Sequence, residues 1–232
     1  MSSIKISTKM NPEELLAKIA NCVERGKVNK TSPYPPDLKG LDGADELSAQ
    51  ALLEGIAADQ VLSKGLVPGM QIVGVKFREN KVFVPEVLMA AKAMSAGMKH
   101  LKPYFTSGAV KRKGIFIIGT VMGDLHDIGK NLLGMIVEGA GWQVVDLGID
   151  VPAAKFIAAV DEYPGAYVGL SCLLTTTMLN MEKIVTEMKS ARPDTKILIG
   201  GAPVTDDFRK RIGADWYSPD PQGAVEFLNK VG

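Results

Sequence analysis

Gly119-Thr-Val-Met-Gly-Asp-Leu-His-Asp-Ile-Gly-Lys-Asn131 is the stretch from which the fold can be read. The run that leads into it, Gly114-Ile-Phe-Ile-Ile-Gly119, is short and apolar, as a strand buried on both faces must be. The run behind it, Leu132-Leu-Gly-Met-Ile-Val137, continues as a helix that stops near Gly139 and Gly141. Asp124 and His126 are therefore placed on a loop at the carboxyl end of a strand, where open α/β sheets hold their ligands.

Outward from this point the alternation repeats to the end of the chain. Strands are read at Gly114–Val121, Trp142–Asp146, Tyr167–Ser171, Lys196–Gly200 and Trp216–Tyr217, with helices over Ile128–Glu138, Pro152–Asp161, Met178–Ala191, Thr205–Ile212 and Gln222–Val231. Short links between alternating β and α segments predict an α/β fold: a doubly wound, Rossmann/flavodoxin-like parallel sheet of five strands in the order 2-1-3-4-5. That order sets the loop Gly123–Gly129 beside Ser171-Cys-Leu-Leu-Thr175, with Gly200-Gly-Ala-Pro203 next along. Three loops then line one crevice, and their glycines allow a bulky ligand close to the backbone.

The first hundred residues read differently. Residues 1–10 are polar and are expected to fray. Asn11-Pro12-Glu13-Glu14 starts a helix, with Asn as cap, Pro in the first turn and acids at the positive end of the dipole. Leu15, Leu16, Ile19 and Val23 recur at helical spacing, and Gly26 ends the run. Thr31-Ser-Pro-Tyr-Pro-Pro-Asp-Leu-Lys-Gly40 is too rich in proline for helix and is expected to be an extended connector. Helical patterns follow over Asp45–Lys64, over Val67–Phe77 despite Gly69 and Gly74, and over Val84–Leu101, halted by Pro103. The expectation is an N-terminal four-helix bundle over residues 1–107 and the sheet domain over residues 108–232. Met70, Met89, Met94 and Met98 fall in the helical half, as core filler or as an adaptable lid over a flat ligand.

Composition excludes several classes. The 232 residues are 46% apolar and 23% charged with a net charge of +1, an ordinary globular balance. No Lys/Arg block stands out, so neither nucleic acid nor an anionic membrane surface has an electrostatic footprint. Two cysteines, Cys22 and Cys172, make no disulfide framework, and with only His100 and His126 beside them a His/Cys zinc site has poor support. No signal-peptide pattern opens the chain and no apolar run approaches membrane-spanning length, which leads us to expect a cytoplasmic protein.

A metal-bound imidazole needs its other ring N–H held by a carboxylate, and Asp124 can reach His126 if the loop curls back. Ser171, across the crevice, is a candidate partner for that carboxylate. Asp124-Leu-His126-Asp-Ile-Gly129, Ser171-Cys-Leu173 and Gly200-Gly201, in this order, resemble the three marks of the cobalamin (B12)-binding domain. Gly65-Leu-Val-Pro-Gly-Met70, Val73-Gly-Val-Lys-Phe77 and Val82-Phe-Val-Pro-Glu-Val-Leu-Met-Ala-Ala-Lys-Ala-Met94 resemble the helical cap that precedes it in corrinoid methyl-carrier proteins, arranged as in methionine synthase. The likeness spans residues 45–230.

The resemblance implies cobalamin as cofactor, cycling through methylcobalamin, cob(I)alamin and cob(II)alamin, with His126 as lower axial ligand to cobalt in place of the benzimidazole. It implies Asp124 and Ser171 as partners of that ligand. Gly123, Leu125, Asp127, Gly129, Leu173, Thr175, Gly200, Gly201 and Ala202 would line the slot for the nucleotide tail, and Phe83 and Met94 would cover the upper face. The chain would be a carrier, not a catalyst alone. Its partners would be a substrate-specific methyltransferase, a second methyltransferase delivering to tetrahydrofolate or a thiol, and a reductive activase. The donor is not written in these residues: methoxyaromatics, methylamines, betaines and methanol are open, with an O-demethylase system slightly preferred. Segment 31–43 is longer than the link such a cap is expected to have, and the connector 102–113 is the hinge candidate. The rival readings are weaker. A B12-binding subunit of an adenosylcobalamin mutase would share Asp-x-His-x-x-Gly but lack this cap, and a receiver-like domain would use no cofactor. A Ser/His/Asp hydrolase lacks the second glycine of its nucleophile elbow at Gly169-Leu-Ser171-Cys-Leu173.

Overall fold

The computed structural model describes residues 11–231, so the expected fraying of residues 1–10 lies outside it. Two compact units are present. One is built from the chain up to Val73 together with Pro85–Lys111, the other from Gly74–Val84 together with Arg112 onward.

In the helical unit, Asn11 caps α1 (Pro12–Glu24) by accepting the Glu13 N–H at 3.0 Å, and the helix buries Leu15, Leu16, Ile19, Cys22 and Val23. The helix expected over 45–64 is cut in two. α2 (Ala44–Leu53) ends before Gly55, whose φ of +87° is left-handed and cannot continue a helix. The chain then runs on from α3 (Ala58–Gln60) through a π-helical stretch, Val61–Leu66, into α4 (Val67–Arg78). Gly69 does not weaken that rod but lets it approach α1, since a Cβ there would lie 2.4 Å from the Ala20 carbonyl oxygen. α5 (Val84–Thr106) passes through Pro103 instead of stopping before it. A proline so close to the end forgoes only the one ladder bond to the carbonyl four residues earlier. Met94 is buried on the inner face of α5 with Val87, Ala90, Ala93 and Leu101.

The proline-rich segment is not an extended connector. Ala44 and Asp45 donate their N–H groups to the carbonyls of Lys27 and Val28, closing the neck of a compact loop. Arg25 forks onto Asp37 at 2.8 and 2.9 Å, and the buried Lys27 ammonium donates to the Ser32 carbonyl at 3.0 Å.

The second unit holds β1 (Ile115–Thr120), α6 (Ile128–Gly139), β2 (Gln143–Asp146), α7 (Ala153–Glu162) and β3 (Tyr167–Ser171). It continues with α8 (Met178–Ala191), β4 (Ile197–Gly200), α9 (Asp206–Ile212), β5 (Trp216–Tyr217) and α10 (Pro221–Val231). All five strands are parallel in the order β2-β1-β3-β4-β5, as expected. Helices α7 and α8 pack together, as do α6 and α10, and Ile117, Phe156, Val168, Met181 and Val185 belong to one continuous core. Register decides where function can sit. Thr120 pairs with Ser171, and Ser171 with Gly200, so the three loops leave the sheet at one level.

The chain passes from the helical unit to the sheet unit between Lys111 and Arg112, and segment 74–84 groups with the sheet. Arg78 explains part of that grouping: its guanidinium meets Asp220 at 3.0 Å and Glu226 at 2.8 Å. Among the described residues no helix is long and apolar enough to cross a membrane.

Gly119 in β1 and Gly169 in β3 are sites where aromatic rings lie against the backbone. A Cβ on Gly119 would stand 2.7 Å from the Phe156 ring, which comes from α7 and is fully buried. Gly119→Ala is therefore expected to destabilise the protein by about 1–3 kcal/mol through overpacking, with urea unfolding as the measurement.

Candidate functional site

The carboxylate of Asp124 is wholly shielded from water, although it lies on a loop. Its Oδ1 accepts the His126 backbone N–H at 3.0 Å and meets the His126 ring Nδ1 at 2.6 Å. Its Oδ2 accepts the Leu173 N–H at 2.8 Å and the Thr177 hydroxyl at 2.8 Å, with the Leu174 N–H at 3.4 Å. Burial alone would push this carboxyl up, but these donors outweigh it and hold the group well below the usual carboxylate range. An ionised carboxylate only accepts, so Nδ1 of His126 is the donor in this contact, and in the neutral ring the lone pair is then on Nε2. The ring side chain is 50% exposed, so that lone pair is available to a ligand.

The loop is built to present this ring. Gly123 turns the chain with φ +83°, and Thr120, buried at the end of β1, donates its hydroxyl to the His126 carbonyl at 2.8 Å. Among the described residues no three His, Cys, Asp or Glu side chains cluster as a metal site would need. His126 could thus supply one ligand to a metal whose other ligands come with it, as a corrin ring's nitrogens do.

Beside His126 opens a cavity of about 850 Å³, within the range of small-molecule pockets. Leu125, His126, Asp127, Gly129, Ser171, Leu173, Gly200, Gly201 and Ala202 are among the residues that line it. Gly123, Asp124 and Thr175 do not. Asp124 faces the ring and Thr175 is an exposed loop residue. The glycines separate into two kinds. Gly129 meets nothing within 4 Å of an added Cβ and Gly200 only the Ser218 carbonyl at 3.6 Å, so both leave room for a ligand. Gly201, at φ +131°, is demanded by the chain itself, since a Cβ there would overlap the Cys172 carbonyl. An open cradle next to an imidazole with a free Nε2 fits a corrinoid with its tail inserted.

Ser171 lines the cavity, but its hydroxyl makes no hydrogen bond to Asp124. Thr177 takes that place, because the chain must pass through the loop 172–176 and begin α8 before a hydroxyl can point back at the carboxylate. As the N-cap of α8, Thr177 would ordinarily cap the helix, yet its hydroxyl makes no capping bond. Sequence spacing gave no sign of this; the Thr175-Thr176-Thr177 run at a helix start was the available hint. Nor did the sequence reveal Lys130, the Ser218–Pro221 loop or Phe77 as cavity walls. Phe83 is exposed and falls in the sheet unit, whereas the buried Met94 falls in the helical unit. The hydrolase reading fails on contact, because Ser171 makes no hydrogen bond with His126. Burial, with help from the Asp124 charge, pushes the Cys172 thiol up to about 11, which leaves it inert as a nucleophile.

Residues 114–225 match the B12 binding domain, and residues 41–102 match a second B12 binding domain model. The chain is 36% identical over 225 residues to trimethylamine corrinoid protein 1 of Methanosarcina mazei, covering 95% of this chain and 97% of that protein. It is 39% identical over 215 residues to dimethylamine corrinoid protein 3 of Methanosarcina acetivorans, covering 92% and 94%. Among solved structures it is similar to the methanol:cobalamin methyltransferase complex of Methanosarcina barkeri, with a TM-score of 0.78 and 27% identity over 99% of this chain and 86% of that one. A cobalamin-binding protein from Desulfitobacterium hafniense matches with a TM-score of 0.72 and 28% identity over 96% and 100%.

Thr177→Val keeps the shape of the side chain and strips the donor from Asp124 Oδ2, and is expected to cost about 1–3 kcal/mol in urea unfolding. Ser171→Ala should stay within about 0.5 kcal/mol of wild type. Because the folded pKa of Asp124 is depressed, its stabilisation is full above the ordinary carboxylate value of 3.8 and is lost as pH falls through the folded value. The stability gap between wild type and Asp124→Asn should accordingly be widest at neutral pH and close in acid.

Proposed function

This chain belongs to the B12-binding corrinoid proteins of methyltransferase systems, methyl carriers that bind cobalamin and work with separate methyltransferases, and from that premise we propose how its own residues serve the carrier cycle. When bound, cobalamin supplies a cobalt centre able to take up and give up a methyl group, chemistry that belongs to the cofactor. His126 would hold the cobalt through Nε2, with Asp124 fixing its tautomer through Nδ1. The observation that carries this reading is the 2.6 Å contact between Nδ1 and a buried, ionised carboxylate, which commits the free nitrogen to a ligand. Thr177 and the Leu173 N–H keep Asp124 from turning away. The cavity that would take the nucleotide tail is lined by Gly129 and Gly200, by the sheet residues Ile118, Gly169 and Leu198, and by the helical residues Leu132 and Ala224. Phe83 and Met94 would cover the methyl-bearing side, and the connector 102–113 would be the hinge of the cycle.

The donor is delivered by a substrate-specific methyltransferase. The names of the relatives, trimethylamine and dimethylamine corrinoid proteins, weigh toward a small methylated amine over the methoxyaromatic that an O-demethylase would use. Onward transfer goes through a second methyltransferase to tetrahydrofolate or a thiol, and a reductive activase restores the carrier after adventitious oxidation. Purified carrier loaded with cobalamin and reduced should accept methyl groups from trimethylamine or dimethylamine with the matching methyltransferase present. Transfer only with a methoxyaromatic-specific enzyme would return the donor to that class. His126→Ala should still bind cob(II)alamin, since the cavity is untouched, but with a changed visible spectrum; an unchanged spectrum contradicts the axial assignment.

A further inference from the structure

The loop that presents His126 is held by a residue to which the carrier reading gives no task. Asp150, in the loop after β2, has φ +53°, and among the described residues only Asn80 shares a left-handed backbone without being glycine. Asp tolerates this region better than most residues, at a cost in strain that the surroundings must offset. The offset is visible. Asp150 Oδ1 accepts the Gly123 N–H at 2.7 Å, while the Asp150 N–H donates to the Asp124 carbonyl at 3.1 Å. Around this pair the two loops are zipped together. Thr120 N–H donates to the Gly148 carbonyl at 3.0 Å, Val151 N–H to the Thr120 carbonyl at 2.9 Å, and Val121 bridges Val151. From the other flank, Asn180 donates its side-chain amide to the Met122 carbonyl at 2.7 Å.

Asp150 thus brackets Gly123 and Asp124, taking the N–H of the first and giving an N–H to the carbonyl of the second. Gly123 has no side chain to hold its own turn, and its φ of +83° is one that a free chain samples among many. The carboxylate of Asp124 meets the ring at 2.6 Å, so a shift in the backbone beneath it moves the imidazole. We propose that Asp150 is a positioning residue: its carboxylate, presented from a left-handed backbone, clamps the Gly123–Asp124 turn and thereby fixes how His126 is presented. The link to cofactor binding rests on the reading of His126 as axial ligand.

The test uses the full chain labelled with 15N-histidine, in which the ring of His100 in the helical unit serves as an internal reference. Asp150→Gly keeps the left-handed backbone and removes the acceptor, whereas Asp150→Asn keeps both. In the apoprotein, the His126 ring nitrogens of wild type and Asp150→Asn should report a protonated Nδ1 and a bare Nε2. In Asp150→Gly they should move toward a tautomer average while His100 stays put. Ring shifts in Asp150→Gly identical to wild type overturn the clamp, as does a change that Asp150→Asn fails to restore. Affinity for cob(II)alamin is the second readout, expected to fall about five-fold in Asp150→Gly, the factor one net hydrogen bond supplies. Displaced ring shifts with undiminished affinity would uphold the clamp and count against His126 as the ligand, so the two ideas fail separately.

Discussion

A carboxylate sealed from water on a loop is a costly object, and the site is organised around meeting its needs. Asp124 is shielded completely, so every lone pair must find a donor within the protein. Two peptide N–H groups, the Thr177 hydroxyl and the His126 ring supply them at 2.6–3.0 Å. The requirement propagates outward. Leu173 and Thr177 can serve only if β3 ends level with β1, which the pairing of Thr120 with Ser171 secures. Satisfying the carboxylate thus draws the loop after β1 and the loop after β3 together. The imidazole that completes the set is left with one free nitrogen facing outward.

The sheet gives this arrangement its rigidity and its room. With the strand order β2-β1-β3-β4-β5, the chain winds one way from β1 to β2 and the other way from β3 onward, and the crevice opens where the direction changes. Gly169 lies on the cavity wall, and its missing Cβ makes space for the buried Phe116 ring. A deep pocket and a fixed imidazole at its mouth come from the same topological feature. The reactive metal comes with the cofactor, and what the protein brings is the pocket and the held imidazole.

Much of this was legible in the sequence, and the exceptions have physical causes. The strands are apolar runs bounded by glycine, and their order followed from β/α alternation, so Asp124, His126, Ser171 and Gly200 could be brought to one edge before any coordinates. What spacing does not encode is the path of a loop after it leaves the sheet. Ser171 sits at the strand end and was the natural partner for Asp124, but the hydroxyl that reaches it belongs to Thr177, after the loop has turned back. The glycine of a Gly-Gly pair looks permissive for a ligand, yet Gly201 is required by the Cys172 carbonyl. In the helical unit, Pro103 looked like a stop and Gly55 did not. A proline near a helix end costs one bond, whereas a left-handed glycine redirects the chain. The bracing of the 31–43 loop by Arg25 and Lys27 depends on side-chain bonds that hydrophobic periodicity and proline content do not encode.

The central claim is that the protein places a histidine nitrogen on cobalt. An EPR spectrum of the full chain with cob(II)alamin, recorded on unlabelled and on 15N-histidine protein, addresses it directly. The account predicts a nitrogen hyperfine pattern along the axial direction that changes with the label. A pattern indifferent to the label would mean that the cofactor's own benzimidazole occupies the position, and would contradict the account.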